Sequence, residues 1–215
     1  MRHQPDFLFS DSVASFVGPH EIHVTVDAES TDPVRFRALC HSLGVKALAI
    51  ANETPGGVTI PDLLTASHGK CTSAEAIERM IAIAGALRAA NMQVVREKIE
   101  TVPWHPYAPG QSHAMPSQTY FESHIGLHTQ GQIPDISDLG LPGPLYISRN
   151  SDSTTGKIFA TYRNYHSDQH SFQNEVANIA KTLTGHGLLL EKADVEFALY
   201  DDNIRHDQDW LEAYT

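Results

Sequence analysis

The sequence predicts an α+β protein built from two tandem units with the order βαββαβ. Three observations point there. Strand and helix signals run through the same order twice, a proline-rich stretch separates the two runs, and polar residues return in matching places. Glu21-Ile22-His23-Val24 returns as Glu122-Ser123-His124-Ile125, His68 as His166, and Glu97-Lys98 as Glu191-Lys192. A repeated fold needs only its apolar pattern to survive, so a repeated Glu-x-His asks for a chemical explanation.

In the first unit, Ile22, Val24 and Val26 alternate with Glu21, His23, Thr25 and Asp27, the pattern of a half-buried strand. Asp32-Pro33 reads as an N-cap followed by proline at the first helical position. Phe36, Leu39, Cys40 and Leu43 follow at helical spacing, and Gly44 sits where a C-terminal glycine belongs. Residues 47–51 are a short apolar strand, ended by the turn signal Pro55-Gly56-Gly57. Residues 58–68 are a third strand, which Pro61 weakens or places at an edge. Thr72-Ser73-Ala74-Glu75 is a capping box, with Ile77, Met80, Ile81, Ala84 and Leu87 on one helical face behind it. Residues 94–102 close the unit as a fourth strand. This is the ferredoxin-like, or split βαβ, arrangement.

Residues 103–118 hold four prolines and act as a connector. The second unit repeats the order with strands at 120–128, 145–149, 157–166 and 188–200. A short helical turn is predicted at 134–140, a turn at 152–156, and a helix carries Phe172, Val176, Ile179 and Leu183. The division is therefore an extension at 1–20, repeat one at 21–102, the connector at 103–118, repeat two at 119–200, and an acidic tail at 201–215. Trp210 and Leu211 suggest a short helix in that tail.

In such a four-stranded sheet both helices cover one face and leave the other open. Strand parity sends Glu21, His23, Thr25, Glu122, His124 and His128 to the open face. Arg96, Lys98 and Glu100 go there from the fourth strand, and Lys192, Asp194 and Glu196 from the last. His23 is then expected beside Lys98 and near His68, and His124 beside Lys192 and near His166. Two open faces packed together would make an α+β barrel, within the chain or between two chains.

Composition narrows the function classes. Apolar residues are 41% and charged residues 19% of the 215, enough for a core without metal or disulfides. A net charge of −11 argues against nucleic-acid binding, which needs a Lys/Arg footprint. No stretch approaches the ~20 apolar residues of a membrane span, and no targeting segment is visible. Cys40 and Cys71 make neither a disulfide framework nor a zinc spacing, which suits a reducing, cytoplasmic setting.

The bland reading of the open faces is that polar residues facing water pair across strands for small gains. The functional reading gives His23 and His124 acid–base roles, with Glu21 and Glu122 orienting them. Lys98 and Lys192, with Arg96, Arg163, His68 and His166, would hold a phosphorylated or carboxylated ligand. A divalent metal on Glu and His, with His68 or His166 as third ligand, ranks below anion binding because a lysine stands close by. A scaffold whose open faces bury against another copy, giving a homo-oligomer, is the non-catalytic alternative. His105, between Trp104 and Pro106, reads as a packing residue. Gly140-Leu141-Pro142-Gly143 is turn chemistry, and Ser117, Ser148 and Ser151 lack a nucleophile motif.

The chain resembles uncharacterised bacterial proteins built from tandem ferredoxin-like repeats, a likeness of pattern that implies no activity. His23-Val24-Thr25-Val26 also resembles the His-x-Thr-hydrophobic motif of two-histidine phosphoesterases, which carry one such motif per lobe. That resemblance implies a phosphodiesterase with His23 and His124 as its pair. The second copy reads His124-Ile125-Gly126-Leu127, without the phosphate-binding Thr or Ser.

Overall fold

A computed structural model describes residues 11–54, 58–110, 118–128, 139–151 and 156–207. The strands are β1 (Val17–Val26), β2 (Lys46–Glu53), β3 (Thr59–Thr72), β4 (Val94–Thr101), β5 (Tyr120–His128), β6 (Tyr146–Asn150), β7 (Lys157–Asn164) and β8 (Leu189–Asp201). The helices are α1 (Asp11–Ala14), α2 (Pro33–Ser42), α3 (Ser73–Ala89) and α4 (Gln169–Gly185), and a 3-10 turn (Ile204–Asp207) follows β8.

These eight strands form one closed barrel in the order β1-β3-β2-β6-β7-β5-β8-β4, antiparallel throughout. This corrects the expectation of two tandem, duplicated ferredoxin-like α+β units. No sheet ends where such a unit would end. β2 pairs with β6 from Ile50↔Asn150 to Glu53↔Ile147, and β4 pairs with β8 from Lys98↔Asp201 to Thr101↔Phe197. An edge strand leaves a row of backbone donors and acceptors unpaired, and closure removes every edge at once. The faces expected to meet another copy line the interior of a single chain.

Local signals place the helices. Asp32 accepts a hydrogen bond from the Val34 N–H, Pro33 opens α2, and Gly44 turns the chain out at φ 66°. Thr72 and Glu75 form the full capping box of α3. Asp168 caps α4 through the N–H groups of His170 and Ser171. The helices lie outside the barrel, and the apolar core fills the layer between. Ile22, Val24, Val26 and Ile99 meet Phe36, Met80 and Leu87 on one side, while Phe121, Ile125 and Phe197 meet Phe172 and Ile179 on the other. Parity then forces the alternate residues inward. Pro55-Gly56-Gly57, most of the 134–140 turn, nearly all of the 152–156 turn, Ser117, Trp210 and Leu211 lie outside the described residues.

Candidate functional site

Inside the barrel is a cavity of about 390 Å³ reached by side chains from β1 to β8 and by Asp207. Glu21, His23, Lys98, Glu122 and His124 all line it, as do Arg96, Arg163, His68 and Lys192. His166 does not; it is exposed in the turn between β7 and α4, where its N–H donates to Asn164 Oδ1. His23 is in register with Lys98, and Glu21 with His68. The other side differs from expectation: His124 faces Asp194 and Thr161 across its two neighbours, while Lys192 pairs with Gly126.

One end of the interior is closed by a buried ion network. Arg96 donates to Asp201 through Nε (3.0 Å) and Nη2 (2.6 Å), and to Asp207 through Nη1 (2.9 Å). Arg163 reaches Asp207 at 2.7 Å and Glu122 at 3.1 Å, and the Tyr120 hydroxyl donates to Asp201 at 2.8 Å. The 3-10 turn that carries Asp207 is thus pinned to β4 and β7. Burial would raise the Asp207 carboxyl, but Arg96 and Arg163 outweigh it and hold it well below the usual carboxylate range.

Toward the middle, Lys98 Nζ lies 2.7 Å from both Glu122 Oε2 and Glu100 Oε1. It donates to Glu122, and Glu100 Oε1, although buried, accepts no hydrogen bond. The four cations expected to receive an anion each carry a carboxylate partner: Arg96, Lys98 and Arg163 as above, and Lys192 with Asp194.

His23 sits among acceptors only. Its Nδ1 lies 3.0 Å from the Thr65 carbonyl, and its Nε2 lies 3.1 Å from Glu21 and 3.2 Å from Glu100. Both ring nitrogens must therefore carry protons. Burial alone would lower its pKa, but the hydrogen bonds to Glu100 and Glu21 prevail and raise it to about 10. His23 is a fixed imidazolium at neutral pH rather than a proton shuttle. His124 is looser, with Nδ1 3.0 Å from Thr161 Oγ1 and Nε2 3.4 Å from Glu122.

Glu196 lies outside both Glu-x-His pairs. It has no hydrogen bond or ion pair among the described residues, and it lines the cavity from β8 opposite Glu122. Burial, then the Glu100 and Glu21 carboxylates, push its pKa up to about 8. Strand parity puts Glu100 and Glu196 on the inward face; only the register shows that Glu100 meets Lys98 and His23 while Glu196 has no hydrogen bond or ion pair among the described residues. Asp201 and Asp207 have no signal in the sequence, whereas Tyr120 shares the parity of Glu122 and His124.

The end away from Asp207 meets a second, outer cavity of about 660 Å³. Glu21, His68, Glu100, Asp194 and Glu196 line both spaces, so the outer one leads to the interior. Its acidic lining contains no Lys or Arg, and the exposed Trp104 stands beside it.

Outside the barrel wall lies a second histidine cluster. His20 and His105 are buried on either side of Ser73, at 3.2 Å and 3.0 Å from its hydroxyl. His20 Nδ1 donates to the Gly18 carbonyl, and His105 Nδ1 accepts from the Tyr107 N–H. Each donor then has one acceptor only if His105 Nε2–H donates to Ser73 and Ser73 O–H donates to His20 Nε2. Both rings are neutral. Burial lowers both, His105 to about 4 with help from His20. His105 also packs edge-on against Phe16, as its Trp-His-Pro setting suggested.

No helix among the described residues is long and apolar enough to cross a membrane. No protein-family model matches the chain, and no curated protein matches it. Among solved structures, a monooxygenase candidate from Lactobacillus acidophilus NCFM is similar to it at 13% identity over 85% of this chain and 93% of that one. Its TM-score is 0.25, a likeness too slight to carry an argument about fold or activity.

Proposed function

We propose that this protein is a small-molecule enzyme or binding protein whose ligand occupies the barrel interior and brings positive charge to Glu196. The observation that carries this reading is an unpartnered carboxyl group facing a cavity of about 390 Å³, within the usual size of ligand sites. A buried or half-buried polar group without a partner is costly, and a ligand is the natural partner where the fold supplies none. The acidic outer cavity favours the approach of a cation.

An anionic ligand is less well supported, because it would have to displace a carboxylate from Lys98, Arg96 or Arg163. A two-histidine phosphodiesterase would need His23 to accept a proton at a nitrogen flanked by Glu21 and Glu100. A scaffold that buries its polar faces has no use for a cavity at His23 and His124.

The test is a thermal-shift and NMR screen of small amines, carboxylates and phosphates, with and without added divalent cation. Cationic members should stabilise the wild type and lose their effect in Glu196→Gln. Binding confined to carboxylates or phosphates, or cation binding that Glu196→Gln leaves intact, overturns the reading.

A further inference from the structure

Glu100 on β4, His124 on β5 and Glu196 on β8 come from three strands that are neighbours in the barrel. One ligand atom from each lies within 4.8 Å of the other two. Ligands bonded at about 2.0–2.2 Å to one ion stand about 3–3.5 Å apart, so an inward movement of side chains of about an ångström completes the set. We propose that these three residues bind one divalent first-row transition-metal ion, such as Mn²⁺ or Zn²⁺, with its remaining coordination positions open to the cavity. The inference rests on the reading of the interior as a ligand site and names the source of the positive charge.

Two features apart from the clustering support it. Glu100 is 1% exposed, and its Oε1, ion-paired with Lys98 at 2.7 Å, has no well-aligned hydrogen bond. Glu196 has no hydrogen bond or ion pair among the described residues. His124 Nδ1 lies 3.0 Å from Thr161 Oγ1; if it donates there, Nε2, now 3.4 Å from Glu122, is the nitrogen that would turn to the ion, the usual arrangement behind a metal-bound imidazole. Lys98 lies 2.7 Å from both Glu100 and Glu122, so Glu122 remains its partner when Glu100 turns to the ion. Imidazole with carboxylates favours the first-row metals over Mg²⁺ or Ca²⁺, which take oxygen alone. Three protein ligands with open positions are the pattern of a reactive rather than a structural site.

The other grouping of this kind makes a useful contrast. Asp62, His206 and Asp207 also cluster, but Asp207 is bonded to Arg96 and Arg163, and His206 to Asp62. In that set every member is engaged by another side chain, whereas in the proposed set Glu100 has cationic partners, Lys98 and His23, and Glu196 has no ion pair among the described residues.

The experiment uses the full chain, stripped with EDTA, and titrates Mn²⁺ by electron paramagnetic resonance and Zn²⁺ by calorimetry. Wild type should take up one ion per chain. Glu196→Gln and His124→Asn should each weaken binding about tenfold or more, with melting temperatures near wild type in EDTA, while His206→Asn binds as wild type. Absence of uptake, uptake unchanged in both ligand variants, or loss of uptake in His206→Asn overturns the proposal. An organic cation that binds in EDTA without metal uptake sinks the metal site alone. Metal uptake with no organic ligand in either condition sinks only the broader reading of substrate binding.

Discussion

His20 and His23 are three residues apart on one strand, and the structure holds them in opposite protonation states. His23 points into the barrel and meets three acceptors, the Thr65 carbonyl, Glu21 and Glu100. His20 points outward into a chain of hydrogen bonds that offers each ring nitrogen one role only. Burial opposes charge in both places, so desolvation does not distinguish them. The count of donors and acceptors does. A histidine facing only acceptors is a cation; one facing a donor and an acceptor is neutral.

The largest effect is expected inside the barrel. Glu100→Gln removes a negative partner from both His23 and Lys98 and should cost about 3 kcal/mol in urea denaturation, as loss of one member of a buried ion pair does. The His23 midpoint, followed by NMR of its ring protons in metal-free protein, should fall from about 10. An unchanged midpoint would show that Glu21 alone sets it.

Ser73→Ala comes next. It takes the acceptor from His105 Nε2 and the donor from His20 Nε2, leaving two buried polar atoms unsatisfied, at roughly 1–3 kcal/mol. Ser73→Cys, a poorer hydrogen-bonding group, should fall between alanine and wild type in the same denaturation series.

The pH response should split with the two pockets. His105 is lowered, so the unfolded chain binds its proton first; that contribution to stability is complete above about pH 6.5 and fades as pH falls toward about 4. His23 is raised, so its contribution is complete below about 6.5 and fades as pH rises through about 10. Melting temperatures across this range should show His105→Phe flattening the acid arm alone. Loss of the alkaline arm in that variant would mean the pockets are coupled. The smallest effect belongs to His166→Ala, an exposed residue outside the cavity, which should change stability by no more than about 0.5 kcal/mol and leave ligand uptake alone.

Alternation along β1 and β4 is enough to set Glu21, His23, Arg96, Lys98 and Glu100 on one face, because period two is a local property of a strand. Caps at Asp32, Thr72 and Asp168 are similarly local. The closure is not legible, since β2 meets β6 and β4 meets β8 through backbone groups that look alike in every sequence. The bulges that shift register near Gly126 and Ile99 are invisible as well, and they help decide which residue faces which. His124 therefore faces Asp194 instead of Lys192. Asp207 carries no mark in the sequence because it lies beyond the last strand, where no periodicity sets a residue inward.

The two seams of the barrel make its halves dependent on each other. Residues 11–102 alone would end in two bare strands, β2 and β4, with Lys98 deprived of Glu122 and Arg96 of Asp201 and Asp207. Such a fragment cannot satisfy itself as a monomer. Because the seams join strands far apart along the chain, the ion network is assembled only when the last strand docks, the kind of distant contact that slows folding. A ribosome therefore holds an unfinished barrel until nearly the whole chain has emerged.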